Sequence, residues 1–512
     1  MQGSAKMYSQ QCYEQLKMEL PFGVALDKNS RWVKLAAMFP WKEIDEAYSK
    51  NFASDEGQIA KPSRLAFGAL YIQTSEGFTD EQTRRHIQEN PYLQYFCGLE
   101  CYTLASPFDT SMMTHFRKRI TSTMMEKINS IVFAKEAEKL MDNPIDPQTE
   151  DEQETQIEDT AQLAEASSPI PDVTEEKTPE NKGTMILDGT CCPADIHYPT
   201  DVGLLNHARE IAENVIDIFY ENSRDMITQK PRTYREVARR EYVSYTKKRR
   251  HSAKEIRRAI RGQLQYLRRD LGYIDTMVNE THTLLSTLPR GLYRKLLIIH
   301  EVYRQQKEMY DNGTNRCNDR IVSIDQPHVR PIVRGKAGCP TEFGAKIVVA
   351  LIGGYAFIVQ EGWDNYNEAK QLIQAANKYK EMFGVYPKTI LGDRAYPIRE
   401  NRKWCAERGI RLSGPRLGRK SAEERLEESK QIYQDGCDRI PIEGAFGVVK
   451  RRYDLDRLMT RLPDTSMTAI SMGFFAANME RRLRLLFAPE QDWALDYDFD
   501  LHTLVAYARS CG

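Results

Sequence analysis

No apolar run in this chain approaches the roughly 20 residues that span a bilayer, so no membrane-crossing helix is expected. The first residues, MQGSAKMYSQQCYEQ, contain no apolar stretch of the kind a secretory leader carries, and the expected compartment is the cytosol with its nucleoid. Ten cysteines include no C-x-x-C pair. Neither Cys97 with Cys101 nor the adjacent Cys191 and Cys192 has the spacing of a zinc site or of a disulfide framework, so reduced structural thiols are expected. No internal repeat is present. The chain also lacks an excess of charge of either sign, with a net of −1. That balance excludes less than it suggests, because the charges are segregated. Residues 142–182 hold about 13 acidic and two basic side chains, whereas residues 229–270 hold about 15 basic and four acidic ones. A polyanion-binding face is compatible with such a neutral total.

At 512 residues the chain is too long for one ordinary core and should divide into two to four domains. Residues 1–141 read as helical. Arg64 opens an apolar helical pattern, Thr79-Asp-Glu-Gln82 is a capping box for a second helix that stops near Pro91, and a third stretch covers about 109–141. The basic face of Arg84, Arg85 and His86 suits either DNA or a plain helical bundle. Residues 142–183 are acidic and rich in Pro, Ser and Thr, and read as a disordered linker. Beyond it, short strands are expected at 184–188, at 320–325 and on either side of Gly353-Gly354, which is a hairpin signal. A further strand is expected at 388–393 and a short one at 410–412, with an amphipathic helix at 367–383. The resulting α/β core, 184–200 with 316–490, is interrupted by a basic helical insertion at 201–315 and followed by a tail at 491–512.

Two expected strands end alike, Ile186-Leu187-Asp188 and Ile390-Leu391-Gly392-Asp393. In open α/β sheets ligands gather where strands end, and an acid there is costly unless it is paired or binds a cation. Glu443 follows Pro441, read as the first turn of a helix. Three oxygen donors converging on one place suit Mg²⁺. Lys450 lies seven residues on, on nearly the same helix face, and with Arg451 and Arg452 it places cations where a phosphate backbone can run. Asp195, Asp201 and Asp325 are rival acids. From the residues alone the reading is a metal-dependent, nuclease-like site.

These stretches resemble insertion-sequence transposases of the DDE class. The resemblance covers most of the chain: residues 60–98, Asp188-Gly-Thr with Asp195 to Leu205, 330–369, Gly392-Asp393-Arg-Ala-Tyr396 with Glu400-Asn-Arg, and a signature in which Arg439 precedes Glu443 by four and Lys450 follows it by seven. The family's Tyr three residues before that Arg is here Gly436, with Tyr433 nearby. The resemblance selects Asp188, Asp393 and Glu443 over the rivals. It implies a ribonuclease-H-like fold, with the first Asp on a central strand, the second beside it and the Glu on a packed helix. It also implies two Mg²⁺ ions, replaceable by Mn²⁺, serving cleavage at element ends and strand transfer into target DNA by a homodimer. Arg439 and Lys450 are the expected holders of the end phosphates. Lys247, Lys248, Arg249, Arg250, Arg257 and Arg258 of the insertion are expected to bind DNA through its phosphates. His197 is a possible DNA contact and Trp363 either a base-stacking or a core residue. A nuclease or resolvase on the same fold, or a transposase-derived DNA-binding protein, remain open alternatives.

Overall fold

The computed structural model describes residues 25–52, 59–141, 180–224, 229–333 and 341–487. The acidic stretch expected to be a linker lies, from 142 to 179, outside the described residues, as does the expected tail at 491–512.

Seven helices open the chain: α1 (Arg31–Met38), α2 (Trp41–Ser49), α3 (Ser63–Glu76), α4 (Asp80–Glu89), α5 (Pro91–Phe96), α6 (Met112–Arg119) and α7 (Ser122–Leu140). The capping box at α4 forms as the sequence predicts: the Gln82 N–H donates to the Thr79 hydroxyl while the Thr79 N–H donates to the Gln82 side chain. The six strands are β1 (Thr184–Pro193), β2 (Arg330–Val333), β3 (Thr341–Ile352), β4 (Tyr355–Gly362), β5 (Thr389–Gly392) and β6 (Arg411–Leu412). They form one mixed sheet. β3 pairs antiparallel with β1 on one side, and on the other with β2 and then β4. β1 pairs parallel with β5, and β5 parallel with β6. Around the sheet stand α12 (Leu372–Phe383), α13 (Arg399–Ala406), α14 (Ala422–Arg452) and α15 (Pro463–Phe487).

The N-terminal helices and the sheet share one hydrophobic core. Phe475 of α15 is its ring centre, 5.6 Å from Phe39, 5.7 Å from Phe67 and 5.6 Å from Phe133. Asn478 completes the join. Its side-chain oxygen accepts from the Ala356 N–H (2.9 Å) and its nitrogen donates to the Ala356 carbonyl (2.8 Å) and to Asn129 of α7 (3.0 Å). Two buried amides thereby satisfy the outward N–H and carbonyl of Ala356 on the edge of β4.

Between β1 and β2 lies a separate helical unit: α8 (Asp201–Asn222), α9 (Arg235–Thr246), α10 (Ala253–Glu280), a short 3₁₀ turn and α11 (Arg290–Asn312). It has its own core, including Leu205, Ile216, Phe219, Leu267, Ile274 and Ile299.

Three local expectations are corrected. Residues 320–325 are not a strand. Ile321 and Ile324 anchor in the insertion's core and Val322 in a small cluster with Ala194 and Val329, while the Ile321 N–H is satisfied by the Gln305 side chain (2.9 Å) instead of a ladder. An alternating apolar pattern can thus serve burial without strand pairing. Secondly, β1 does not end at Asp188. Its β3 partner continues to Pro193, opposite Gly344, whose missing side chain matters because a Cβ there would lie 2.1 Å from the Cys192 carbonyl. Thirdly, Glu443 is not in a first helical turn. α14 starts at a capping box of Ser421 and Glu424, and Pro441 sits inside it, a position that removes one backbone hydrogen bond and bends a helix.

Candidate active site

The site begins with register. The parallel ladder of β1 and β5 pairs Leu187 with Gly392, so Asp188 and Asp393 are the next residues on two neighbouring strands. β5 ends there, and Asp393 turns away from the sheet: its carboxylate accepts the Ala395 N–H (2.8 Å) in a side-chain turn. Asp188 accepts the N–H of Gly189 (2.8 Å). Its side chain is only 17 % exposed, and burial above all pushes its carboxyl up to about 6. The Gly189 N–H and Arg439 pull the value down, and Asp393 and Glu368 raise it further.

α14 crosses β1 and β5 and brings in the third element. Arg439 lies between two acids, 3.7 Å from Asp188 and 3.4 Å from Glu443. Its Nη1 is buried without a hydrogen-bond partner. Glu443 is 64 % exposed on its side chain. Asp188, Asp393, Glu443 and Arg439 therefore gather at one end of the β1–β5 ladder. Among the described residues, no three His, Cys, Asp or Glu side chains stand close enough together to hold a metal ion. Glu443 meets Asp188 through the guanidinium rather than directly.

Lys450, Arg451 and Arg452 follow at the end of α14. Arg451 and Arg452 are exposed, and Arg452 also pairs with Glu480 (3.4 Å). Each rival acid is paired with a cation: Asp195 with Arg457 (2.6 Å), Asp201 with Arg320 (2.5 Å) and Asp325 with Lys295 (2.6 Å). On the insertion, Lys247, Arg249, Arg250 and Arg258 are exposed, Lys248 pairs with Glu255 (2.5 Å), and Arg257 lies over the Tyr310 ring at 4.1 Å. His197 is exposed, and Trp363 packs edge-on against His328 at 4.3 Å, beside the core.

Sequence reasoning missed two members of the site's surroundings. Glu368 lies over Gly189, where a Cβ would come within 2.4 Å of its carboxylate. It is held by Lys346 (2.9 Å), a lysine only 5 % exposed that also donates to the Tyr366 carbonyl (2.7 Å). Tyr396, fully buried after Asp393, feels Glu368, Asp188 and Asp393; burial first and these carboxylates next push its hydroxyl well above the usual tyrosine range. Both Lys346 and Glu368 fall within 330–369, the stretch carrying the most specific resemblance, and that was the available signal.

Comparison with known proteins adds two family matches. Residues 22–119 match a transposase domain family (DUF772), and residues 390–480, which include Asp393, Arg439, Glu443 and Lys450, match the transposase DDE domain. A curated relative, the uncharacterized protein ORF8 in the nfe locus of Rhizobium meliloti, is 38 % identical over 96 residues, which is 19 % of this chain. The chain spans about half of that relative's length, 46 %. No solved structure matches. No helix among the described residues is long and apolar enough to cross a membrane. A transposase domain is thus matched in the N-terminal part of the chain and the transposase DDE domain in its C-terminal part, an order consistent with an insertion-sequence transposase.

Proposed function

We propose that this chain is a DNA transposase whose Asp188, Asp393 and Glu443 carry out cleavage at element ends and strand transfer. The observation that carries the reading is the Leu187–Gly392 register, which sets two aspartates from distant parts of the sequence side by side. The sheet supports a ribonuclease-H-like core: three antiparallel strands (β4, β3, β1) continue into two parallel ones (β5, β6).

The donors fit a divalent cation in kind. They are all oxygens, and burial above all, with Asp393 and Glu368 behind it, raises the carboxyl of Asp188, a cost that a bound cation would offset. Asp188 and Asp393 would hold Mg²⁺, or Mn²⁺ in its place, and Glu443 would join on giving up Arg439; two ions are expected. Such an ion polarises a phosphoryl oxygen and lowers the pKa of bound water. The chain's own part is positioning. Arg439, once released from Glu443, and Lys450 hold phosphates of the element end beside the aspartates, while Arg451 and Arg452 steady the backbone beyond. The basic insertion supplies salt-sensitive affinity for DNA. Two copies, one for each element end, form the working assembly.

The test uses labelled DNA carrying the element's own ends, with Mg²⁺ or with Ca²⁺ in its place. Wild type should nick and join with Mg²⁺. Asp188→Ala, Asp393→Ala and Glu443→Ala should each bind the DNA yet fall to background in both steps. Variants that keep cutting would sink the site assignment. Cutting without joining would leave a nuclease.

A further inference from the structure

Between α9 and α10, over Val202 in the first turn of α8, lies an open cleft of about 890 Å³. That is the size range of ligand sites, and it is distant in sequence from the acids already described. Its walls combine two side-chain chemistries. Arg240, Arg258 and Arg261 line it and pair with no carboxylate among the described residues. Tyr242, Tyr245 and Tyr266 line it as well, and Tyr245 already stacks on His251, with ring centroids 3.9 Å apart and planes 12° from parallel. Of the two lining acids, Glu255 is engaged by Lys248 (2.5 Å) and by the Ser252 cap, and Glu241 accepts from Tyr266 (3.2 Å). The cleft therefore presents uncompensated positive charge.

Its floor is unfinished. Gln263, 3 % exposed, has a side-chain oxygen without a partner, and Arg269, which lies over the Tyr234 ring at 4.6 Å, has a buried Nη1 without one. Buried polar atoms are normally satisfied, so an acceptor and a donor both left open in one cleft point to a polar group supplied from outside. Phosphates suit the arginines, flat rings suit the tyrosines, and the edges of those rings suit Gln263 and Arg269. A nucleotide chain carries all three. A duplex keeps its base faces stacked inside, so it offers the cleft only phosphates.

We propose that the α9–α10 cleft binds an unpaired strand of DNA, its bases stacking on Tyr242 and Tyr266 and its phosphates held by Arg240, Arg258 and Arg261. The choice of DNA rests on the transposase reading. The cleft would hold a strand freed from its partner near an element end or at the target, while the outer face of Lys247, Arg249 and Arg250 meets duplex backbone.

The test is fluorescence anisotropy of the full-length protein with labelled oligothymidylate and, separately, a labelled dT·dA duplex of equal length. Wild type should favour the single strand at moderate salt. Tyr242→Ala and Tyr266→Ala should each weaken single-strand binding about tenfold and leave the duplex unchanged, with Phe at either position restoring it. Gln263→Leu removes an unpaired buried group, so the fold should tolerate it, and it should weaken the single strand alone. Arg261→Glu, at an exposed position, should do the same by charge. Equal losses for both DNAs, or no loss in any variant, would overturn the proposal. Cleavage by the wild type separates the two readings. Single-strand binding that depends on the cleft, in a wild-type protein that never cuts DNA carrying the element's own ends, would leave the cleft standing and the transposase chemistry fallen. Cutting by a protein indifferent to single strands would do the reverse.

Discussion

The sheet unit and the helical insertion solve burial in opposite ways. Where the sheet unit packs on the N-terminal helices, the buried amides of Asn129 and Asn478 are neutral and matched. Asn129 and Asn478 close a ring of hydrogen bonds with Ala356 inside a packing of Phe39, Phe67, Phe133 and Phe475. In the insertion, the centre is charged. Arg209, 1 % exposed, is paired with Glu213 and bonded to Asn206 (2.8 Å), and nearby Asp270 is fully buried with both oxygens unpaired. Burial and then Glu213 push the Asp270 carboxyl up to about 7. The difference teaches where each unit spends its stability. The sheet unit holds two acids on neighbouring strands, and the seam that braces those strands against the N-terminal helices is largely apolar. The insertion carries a charged outer face and tolerates charge inside as well, at a cost that depends on pH.

The comparison can be broken most directly at Phe475. Phe475→Ala should cost about 3–5 kcal/mol, and urea unfolding should show the N-terminal helices and the sheet failing together. If the helices persist while the sheet melts, the shared core is not cooperative. Asp270→Asn comes next. A carboxyl at about 7 in the fold and near 3.8 when unfolded favours the fold below pH 4 and loses that advantage as pH rises through 7. The substitution should therefore stabilise the insertion at pH 8 by about 4 kcal/mol and do little at pH 4. Thermal melts at the two pH values decide, and equal shifts at both would remove the charge argument. Asp188→Asn follows the same sign with a smaller step, from 3.8 to about 6. Without divalent cation it should gain about 2–3 kcal/mol at pH 8 and nothing at pH 4, while abolishing cleavage. A destabilised Asp188→Asn protein would mean that the Arg439 pairing outweighs burial. Smallest in stability are Arg249→Ala and Arg250→Ala, within about 0.5 kcal/mol of wild type. They should nevertheless flatten the salt dependence of duplex binding by close to one unit each in log–log slope.

Much of this was legible in the residues. The α4 capping box and the Gly353-Gly354 hairpin rest on short-range rules, and short-range rules hold when the next few residues decide the geometry. The neighbouring placement of Asp188 and Asp393 followed from the resemblance; periodicity alone ended both strands at the acids and could not say which strands pair. What stayed hidden was set by partners far along the chain. β1 runs past Asp188 because β3 still pairs with it. The shared core of α3, α7, α15 and the sheet joins segments hundreds of residues apart. Pro441 read as a helix start because that is its commonest helical place, and only packing of α14 on both sides of it carries the helix through. Glu368 was overlooked because an acid in the first turn of a helix is ordinary; its meaning comes from the bare backbone of Gly189 beneath it.

The position of the insertion also has a consequence in time. β1 leaves the ribosome early, but its antiparallel partner begins only at Thr341 and its parallel partner at Thr389. At roughly 5–20 residues per second, the ~150 residues between Pro193 and Thr341 keep the nascent β1 waiting for roughly 8 to 30 seconds. The helices that fill that interval pack mainly on one another and can fold as they emerge. Of the elements that build the site, α14, with Glu443, arrives last, after β5 and before α15. A truncated product that stops before α14 would carry the folded basic insertion without Arg439 or Glu443.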